Sequence, residues 1–373
     1  MEFKKKLSID IRNKIIAYYL PQFHSIPEND QNHGSGFTEW TNVKKSLPFF
    51  SGHIQPKKPG DLGYYSLASD CSEILNKQAV IAKNYGVFGF AFYYYYFDGK
   101  SLLDNPIEVL YKNKSIDLNY MIFWANENWT KNWDGSDLEI LLKQNYSDED
   151  DIIFIKKISK FFQDERYIKI DGRPVLAVYD AKSFPNSKKT IALWKDFCYK
   201  KNIPEPFLIC AHGKGGVINP LEYGFDAAFE FPPHRSNSTN ISLLKKYINL
   251  RYFTAKKNVV IDYKSVIDSF SNLNNNSYKL YKCACPGWDN TARRANFNPL
   301  ILHNSTPALF KKWIQKCMAL SKENDFIFIN AWNEWGEGAY LEPDHFFGYA
   351  YLNSLYEAQL EFNDKSIQEI LES

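Results

Sequence analysis

Glu334 and Glu337 stand three residues apart in the run I-F-I-N-A-W-N-E-W-G-E-G-A-Y-L-E-P-D, with Trp332 and Trp335 beside and between them. An apolar stretch, Phe326 to Ile329, ends there in indoles, carboxylates and glycines. Two carboxylates among aromatic rings suit glycosidic chemistry. One protonates the departing oxygen, and the other faces an oxocarbenium-like carbon. Three residues of extended backbone span at most about 10 Å. Two side chains on that span bring their carboxyls to about 5 Å or leave them near 9 Å, so the spacing fits both retention and inversion. Trp335 and its apolar neighbours would desolvate one carboxyl and keep it protonated near neutral pH.

Other chemistry-bearing residues fall in clusters. Y-Y-L-P-Q-F-H holds Tyr18, Gln22 and His24, and Y-Y-Y-Y-F-D holds Tyr94 and Tyr96. The four tyrosines from Tyr93 to Tyr96 should alternate between two faces of a strand, so half of them only pack. W-A-N-E-N-W supplies Trp124, Asn126, Glu127 and Trp129; Asp180, His212, Glu230 and His234 follow singly. W-D-N-T-A-R-R supplies Trp288, Asp289, Arg293 and Arg294. Aromatic faces stack on pyranose C–H groups, while Gln, Asn, Asp, Arg and His bond sugar hydroxyls. Glu127 reads equally as a hydroxyl ligand or a structural hydrogen-bonding group. Arg293 and Arg294 read as a phosphate or carboxylate grip, or as salt bridges of a loop. No H-E-x-x-H, C-x-x-C, phosphate-binding glycine loop, dinucleotide fingerprint or G-x-S-x-G occurs, so no metal and no cofactor is expected. Asp148–Glu149–Asp150 has the form of a metal-binding D-x-D, but reads as acids favoured at a helix N-terminus.

The elements that position these clusters alternate. Strands are expected at Ile15–Leu20, Val87–Tyr95, Asn119–Ala125, Val175–Tyr179, Pro206–Ala211, Asp226–Phe231, Tyr278–Cys285 and Phe326–Ala331. Helices are expected at Ser72–Tyr85, Leu102–Tyr111, Asp150–Phe162, Lys188–Lys200, Pro307–Ser321 and about 347–362. Repeated strand–helix units with eight candidate strands predict an α/β fold, a closed (β/α)8 TIM barrel with long loops at the C-terminal face. Nearly every cluster lies at the C-terminal end of a predicted strand, where barrel active sites form. Residues 1–373 read as one catalytic domain, with insertions at about 25–67 and 232–277.

Composition agrees with a globular enzyme. Hydrophobic residues are 45% and charged residues 24%, and the formal net charge is +2. Nothing in that balance points to nucleic acid or a membrane surface. Aromatic residues reach 17%, more than burial alone is expected to need, and suit a half-wet cleft. The six cysteines have neither disulfide-framework nor metal-ligand spacing and read as buried thiols. Asp10, Arg12 and Lys14 break any apolar signal segment, and no run is long enough for a membrane span, so a cytoplasmic protein is expected.

At Y-Y-L-P-Q-F-H, G-D-L-G-Y-Y, W-A-N-E-N-W, P-G-W-D-N-T-A-R-R and W-N-E-W-G-E-G the chain resembles the WbsX-like family. Those proteins are often encoded with bacterial O-antigen and capsule genes and are distant relatives of glycoside hydrolase family 99, the endo-α-mannosidases. The resemblance covers nearly the whole chain. It implies a (β/α)8 barrel and retaining chemistry at an α-linked sugar. In the endo-mannosidase motif E-W-H-E, the first Glu deprotonates the sugar 2-hydroxyl and the second is acid, then base. That implies the first role for Glu334 and the second for Glu337, through a 1,2-anhydro sugar. This chain departs from the motif at Gly336, where the motif has His. Three activities follow as expectations. The first is a glycosyltransferase of surface-polysaccharide assembly, using a nucleotide-sugar donor. The others are a retaining endo-glycosidase of the α-mannosidase or α-rhamnosidase kind, acting on an oligosaccharide or polysaccharide, and a non-catalytic glycan-binding barrel.

Overall fold

The structure, a computed structural model, describes residues 12–130, 140–213, 216–233, 259–271, 277–294, 299–362 and 370. Eight parallel strands among these residues close on themselves. They are β1 (Lys14–Tyr19), β2 (Val87–Phe97), β3 (Asn119–Trp124), β4 (Arg173–Val178), β5 (Phe207–His212), β6 (Ala227–Glu230), β7 (Leu280–Ala284) and β8 (Phe326–Ile329). Each pairs with its neighbour in chain order, and β1 pairs with both β2 and β8, which completes the ring. The expected (β/α)8 barrel is thus the observed one. Strand ends differ from expectation by a few residues. Val87–Phe97 runs longer because its end folds back antiparallel onto Lys100–Leu102.

The helices follow the same order. α1 (Pro27–His33) and α2 (Glu39–Lys45) lie in the first loop, before α3 (Cys71–Asn84). α4 (Asn105–Lys112), α5 (Asp148–Phe162) and α6 (Ser187–Lys200) follow β2, β3 and β4. α7 (Tyr263–Ser271) precedes β7, and short α8 (Thr291–Arg294) and α9 (Pro307–Ala319) lie between β7 and β8. α10 (Ala350–Glu361) closes the set. Asp148, Glu149 and Asp150 occupy the first turn of α5, and the Ser147 hydroxyl accepts from the Asp150 N–H at 3.1 Å. That is a capped helix start.

The barrel axis is filled with rings. Tyr18 lies 5.2 Å from Phe123, 5.2 Å from Phe231 and 5.6 Å from Phe328, centroid to centroid. Trp124, Trp194, Trp288, Trp313, Trp332 and Trp335 are all almost wholly buried. The aromatic excess therefore goes mostly into the core, contrary to the cleft reading from composition. Wide rings fill a barrel interior and the shell beneath its helices without leaving voids. All six cysteines are buried and unpaired with one another.

The segment at about 25–67 is ordered by α1, α2 and by Trp40, whose indole N–H donates to the Tyr65 carbonyl at 2.8 Å. Of the segment at 232–277, the described part includes a short strand, Val259–Asp262, parallel to Leu300–His303. His234 lies outside the described residues. No helix among the described residues is long and apolar enough to cross a membrane.

Candidate active site

A cleft of about 440 Å³ opens at the C-terminal ends of the strands, a usual volume for a small-ligand site. Gln22, Tyr93, Tyr95, Glu127, Trp129, Tyr179, Trp288, Arg293, Arg294, Glu334 and Glu337 are among its lining residues. Beyond β8 the chain forms a short strand, Asn333–Glu334, and one 3-10 turn, Trp335–Glu337. Gly338 ends that turn in the left-handed region at φ 61°, tight against Asp289. The Asp289 N–H donates to the Glu337 carbonyl at 2.6 Å, which ties the turn to the seventh loop.

One guanidinium organises the acids. Arg293 Nη2 lies 2.6 Å from Glu334 Oε2, and Nη1 lies 2.9 Å from Glu337 Oε1. The same Nη2 lies 2.7 Å from Glu39 Oε1, and Nε donates to that oxygen at 3.1 Å. Glu39, on α2, is wholly buried and also accepts the Gly336 N–H at 2.6 Å. Burial raises the pKa of Glu334 to about 8 and that of Glu337 above the ordinary carboxylate value. Arg293 opposes this rise, and the neighbouring acids add to it. Arg293 is buried too, yet its three carboxylates hold it firmly protonated. Glu334 and Glu337 titrate as a pair, both held above the ordinary carboxylate range.

Gly336 has a physical cause. A Cβ there would lie 2.1 Å from Glu39 Oε1 and 2.9 Å from Arg293 Nε. The departure from the E-W-H-E pattern therefore coincides with a carboxylate in the space that a side chain would need.

The cleft wall is aromatic. Tyr95 and Trp129 stack at 5.2 Å and 24°, and Phe97 lies against Trp129 at 5.9 Å. Gln22 donates to the Tyr95 hydroxyl at 3.1 Å. Gln22, Glu127, Trp129, Trp288, Arg293, Glu334 and Glu337, all singled out from the sequence, thus meet at one cleft.

Others lie elsewhere. Tyr94 and Tyr96 face the helices: Tyr94 donates to Ser101 at 3.2 Å and Tyr96 to Asp150 at 2.6 Å. Their neighbours Tyr93 and Tyr95 take the cleft, so the alternation was expected but the inward pair is the other one. Tyr18 is floor, donating to the Glu230 carbonyl at 3.2 Å. Trp124 is core, stacked on Phe154 at 4.2 Å. Asn126 clamps two loops, donating to the Asp180 carbonyl and accepting the Asp180 N–H, both at 2.8 Å. His212 bonds the Ile218 carbonyl at 3.0 Å. Glu230 pairs with Lys282 at 3.1 Å beneath the cleft.

His24 is half-buried near Asp104, and burial lowers its pKa. Asp289 accepts from Gln55 at 2.7 Å and bonds His53 at 2.8 Å. Burial alone would raise its pKa, but His53, Lys57 and Thr291 outweigh that and hold it at about 2. Trp332 and Trp335 donate their indole N–H groups to Glu342, at 3.1 and 2.7 Å. Both are buried behind the acids rather than on the cleft wall. Asp180 donates no group to the cleft but caps a short helical turn through Lys182 N–H.

Sequence reasoning missed Glu39, Tyr93, Tyr95, Tyr179 and the buried acceptor Glu342. The only signal for Glu39 was the glycine between the two acids. No cluster of three or more metal-ligating side chains occurs among the described residues.

Comparison with known proteins places this architecture. The family described as "Glycosyltransferase WbsX" matches residues 15–355. The chain belongs to that family. It is similar to the "Uncharacterized protein WxcX" of Xanthomonas campestris pv. campestris, strains ATCC 33913 and B100. Identity is 38% over 349 residues in each, covering 92% of this chain. The chain spans about half the length of those curated relatives, 49%. Among solved structures, a "Glycoside hydrolase-like protein" superposes with a TM-score of 0.61 at 14% identity, over 95% of each chain. The endo-α-mannosidase of glycoside hydrolase family 99 from Bacteroides thetaiotaomicron superposes at 0.56, also at 14% identity, over 94% of this chain and 97% of that one. At that identity the likeness is one of fold. This WbsX-family member therefore carries a glycoside-hydrolase-like barrel in a carbohydrate-active family.

Proposed function

We propose that this protein is a carbohydrate-active enzyme that opens an α-glycosidic bond with retention, in the metabolism of a bacterial surface polysaccharide. The observation that carries the reading is the single Arg293 guanidinium bridging Glu334 and Glu337 on an aromatic-walled cleft. Glu334 takes the proton of the sugar 2-hydroxyl, and O2 attacks C1. The bond from C1 to the departing oxygen breaks, and that oxygen takes its proton from Glu337. An incoming hydroxyl then gives its proton to Glu337 and attacks C1. The C1–O2 bond breaks and O2 recovers the proton from Glu334. Two inversions give retention.

Proton placement follows from the surroundings. In the free protein burial favours the protonated form of both acids. A 2-hydroxyl donating to Glu334 favours its anion and leaves the proton on Glu337. The Glu337 side chain is 23% exposed against 6% for Glu334, which gives it the better reach toward a glycosidic oxygen. The 2-hydroxyl must lie trans to the departing group, as in α-mannosides and α-rhamnosides.

The family description favours transfer of the sugar to an acceptor. The charge of the site favours a neutral glycoside as donor. Every nitrogen of Arg293 faces a carboxylate, so a nucleotide diphosphate would meet Glu334 and Glu337 before it met that cation. A glycosyltransferase with a nucleotide-sugar donor is the second reading, and Arg294 on the cleft is its remaining candidate ligand. Incubation with α-mannan and α-rhamnan oligosaccharides, with and without an added nucleotide-sugar, tests the two. New reducing ends or longer products without nucleotide support the glycoside-donor reading. Nucleotide release that requires an acceptor replaces it with the second. Binding of the same glycans without any turnover, unchanged in Glu337→Gln, would leave a glycan-binding barrel and end both.

A further inference from the structure

We propose that Glu39 is a positioning residue of the reaction: it locks Arg293 across the two acids and supplies the third carboxyl group of the cluster. The inference rests on the reaction proposed above and extends it to a residue that no family motif quoted for this chain contains.

The geometry is specific. Glu39 comes from α2 in the first loop, whereas Arg293 comes from α8 and the acids from the turn after β8. One oxygen, Oε1, accepts from Arg293 Nε, Arg293 Nη2 and Gly336 N–H, at 3.1, 2.7 and 2.6 Å. It therefore fixes both the cation and the backbone of the catalytic turn. Arginine presents a planar fork, and holding one edge of the fork aims the remaining N–H groups. With Nε and Nη2 on Glu39, the same plane delivers Nη2 to Glu334 and Nη1 to Glu337. Without Glu39 the guanidinium is free to turn toward either acid and leave the other.

The charge matters as much as the hold. Arg293 alone would lower the pKa of both acids and strip the proton that glycosidic cleavage needs. Glu39 offsets that effect, and its negative charge raises the pKa of both acids. The charged or titratable groups near the pair come from several elements. They include Arg293 and Arg294 on α8, Tyr93 and Tyr95 on β2, Glu39 on α2 and Cys285 after β7, and Glu127 and Tyr179 line the same cleft from the loops after β3 and β4. Among the largest influences on Glu334 and Glu337 from outside the pair, Glu39 raises both pKa values and Arg293 lowers both, with Arg294 lowering that of Glu337.

The test uses the full chain with ¹³C-labelled glutamate, and follows the carboxyl titrations of Glu334 and Glu337 by NMR. Glu39→Gln keeps the shape and removes the charge. Both titrations should move to lower pH by about one unit, as expected when a close like charge is lost. On a glycan that the wild type turns over, the bell-shaped kcat/KM profile should shift acidward by the same amount, with kcat falling at least about tenfold and KM moving little. A residue with a purely structural role would leave the titrations in place. Gly336→Ala provides a second route, because its Cβ displaces Glu39 without removing it. It should move the same titrations, and the destabilisation should be relieved in the Glu39→Ala/Gly336→Ala double variant. If Glu39→Gln does not fold, Gly336→Ala decides. Unmoved titrations in the folded variants overturn the proposal. Moved titrations in a protein that turns over no glycan support the Glu39 hold and refute the reaction instead.

Discussion

Arg293 touches three carboxylates, and this sets what single substitutions do. Glu334→Gln and Glu337→Gln should each lower kcat by about three orders of magnitude or more on any accepted glycan, with the fold retained by circular dichroism. Stability should respond in the opposite direction. Glu334 has a folded pKa raised to about 8, above the ordinary glutamate value of 4.5. A raised folded pKa means that the native state binds more protons. Its contribution is present below the unfolded pKa and is lost as pH climbs from about 4.5 to about 8. Thermal melts of the wild type should therefore fall across that window, and Glu334→Gln should flatten the fall. The acid pair was legible because its two members are neighbours in the chain and sit among indoles. Glu39 was not, because its partner Arg293 is 254 positions away. Nothing near E-W-T-N in the sequence marks a catalytic neighbour.

Strands decide which side of a residue run does chemistry. On β2, Tyr93 and Tyr95 face the cleft and Tyr94 and Tyr96 face α5 and its surroundings. Tyr95→Phe should raise KM several-fold with little change in melting temperature, while Tyr96→Phe should lower the melting temperature and leave kinetics near wild type. Trp129→Ala removes the ring stacked on Tyr95 and should weaken glycan binding by about 1–3 kcal/mol, measured by calorimetry. The parity had a usable signal. Gly89 and Ala91 share a face with Tyr93 and Tyr95, and Ala91 lies opposite Tyr18, whose ring fills the axis. Small residues on that face make room for rings from other strands, so it is the inner one. Four consecutive tyrosines hid this, because each looks equally fit for a cleft. A similar ambiguity applied to Trp332 and Trp335. Their positions beside the acids suggested stacking platforms, but the buried acceptor Glu342 draws both indoles backward. Glu342→Ala would leave those N–H groups, and Gln78 and Tyr65, without their acceptor. It should cost about 3 kcal/mol or more in denaturant melts.

The whole barrel was legible because eight strand signals recur with helices between most of them, and parallel strands joined by helices have few other ways to bury both faces. The ring closes where β1 meets β8, so the first and last loops lie side by side at the cleft. Beneath it, Glu230 and Lys282 form an ion pair at 3.1 Å, each almost wholly buried. Lys282→Met should destabilise the protein by about 3 kcal/mol or more by leaving a buried charge, whereas replacing both partners with apolar residues should cost much less. Closure also has a kinetic side. Glu39 lies in the loop after the first strand, and Glu334 and Glu337 just past the last. A chain still emerging from a ribosome holds the anchor long before it holds the acids, and the seam between the first and last strands is the longest-range strand pairing to form. Regain of turnover during refolding is therefore a clock for the final stitch of the ring. It should lag behind the return of helical signal by however long that stitch takes.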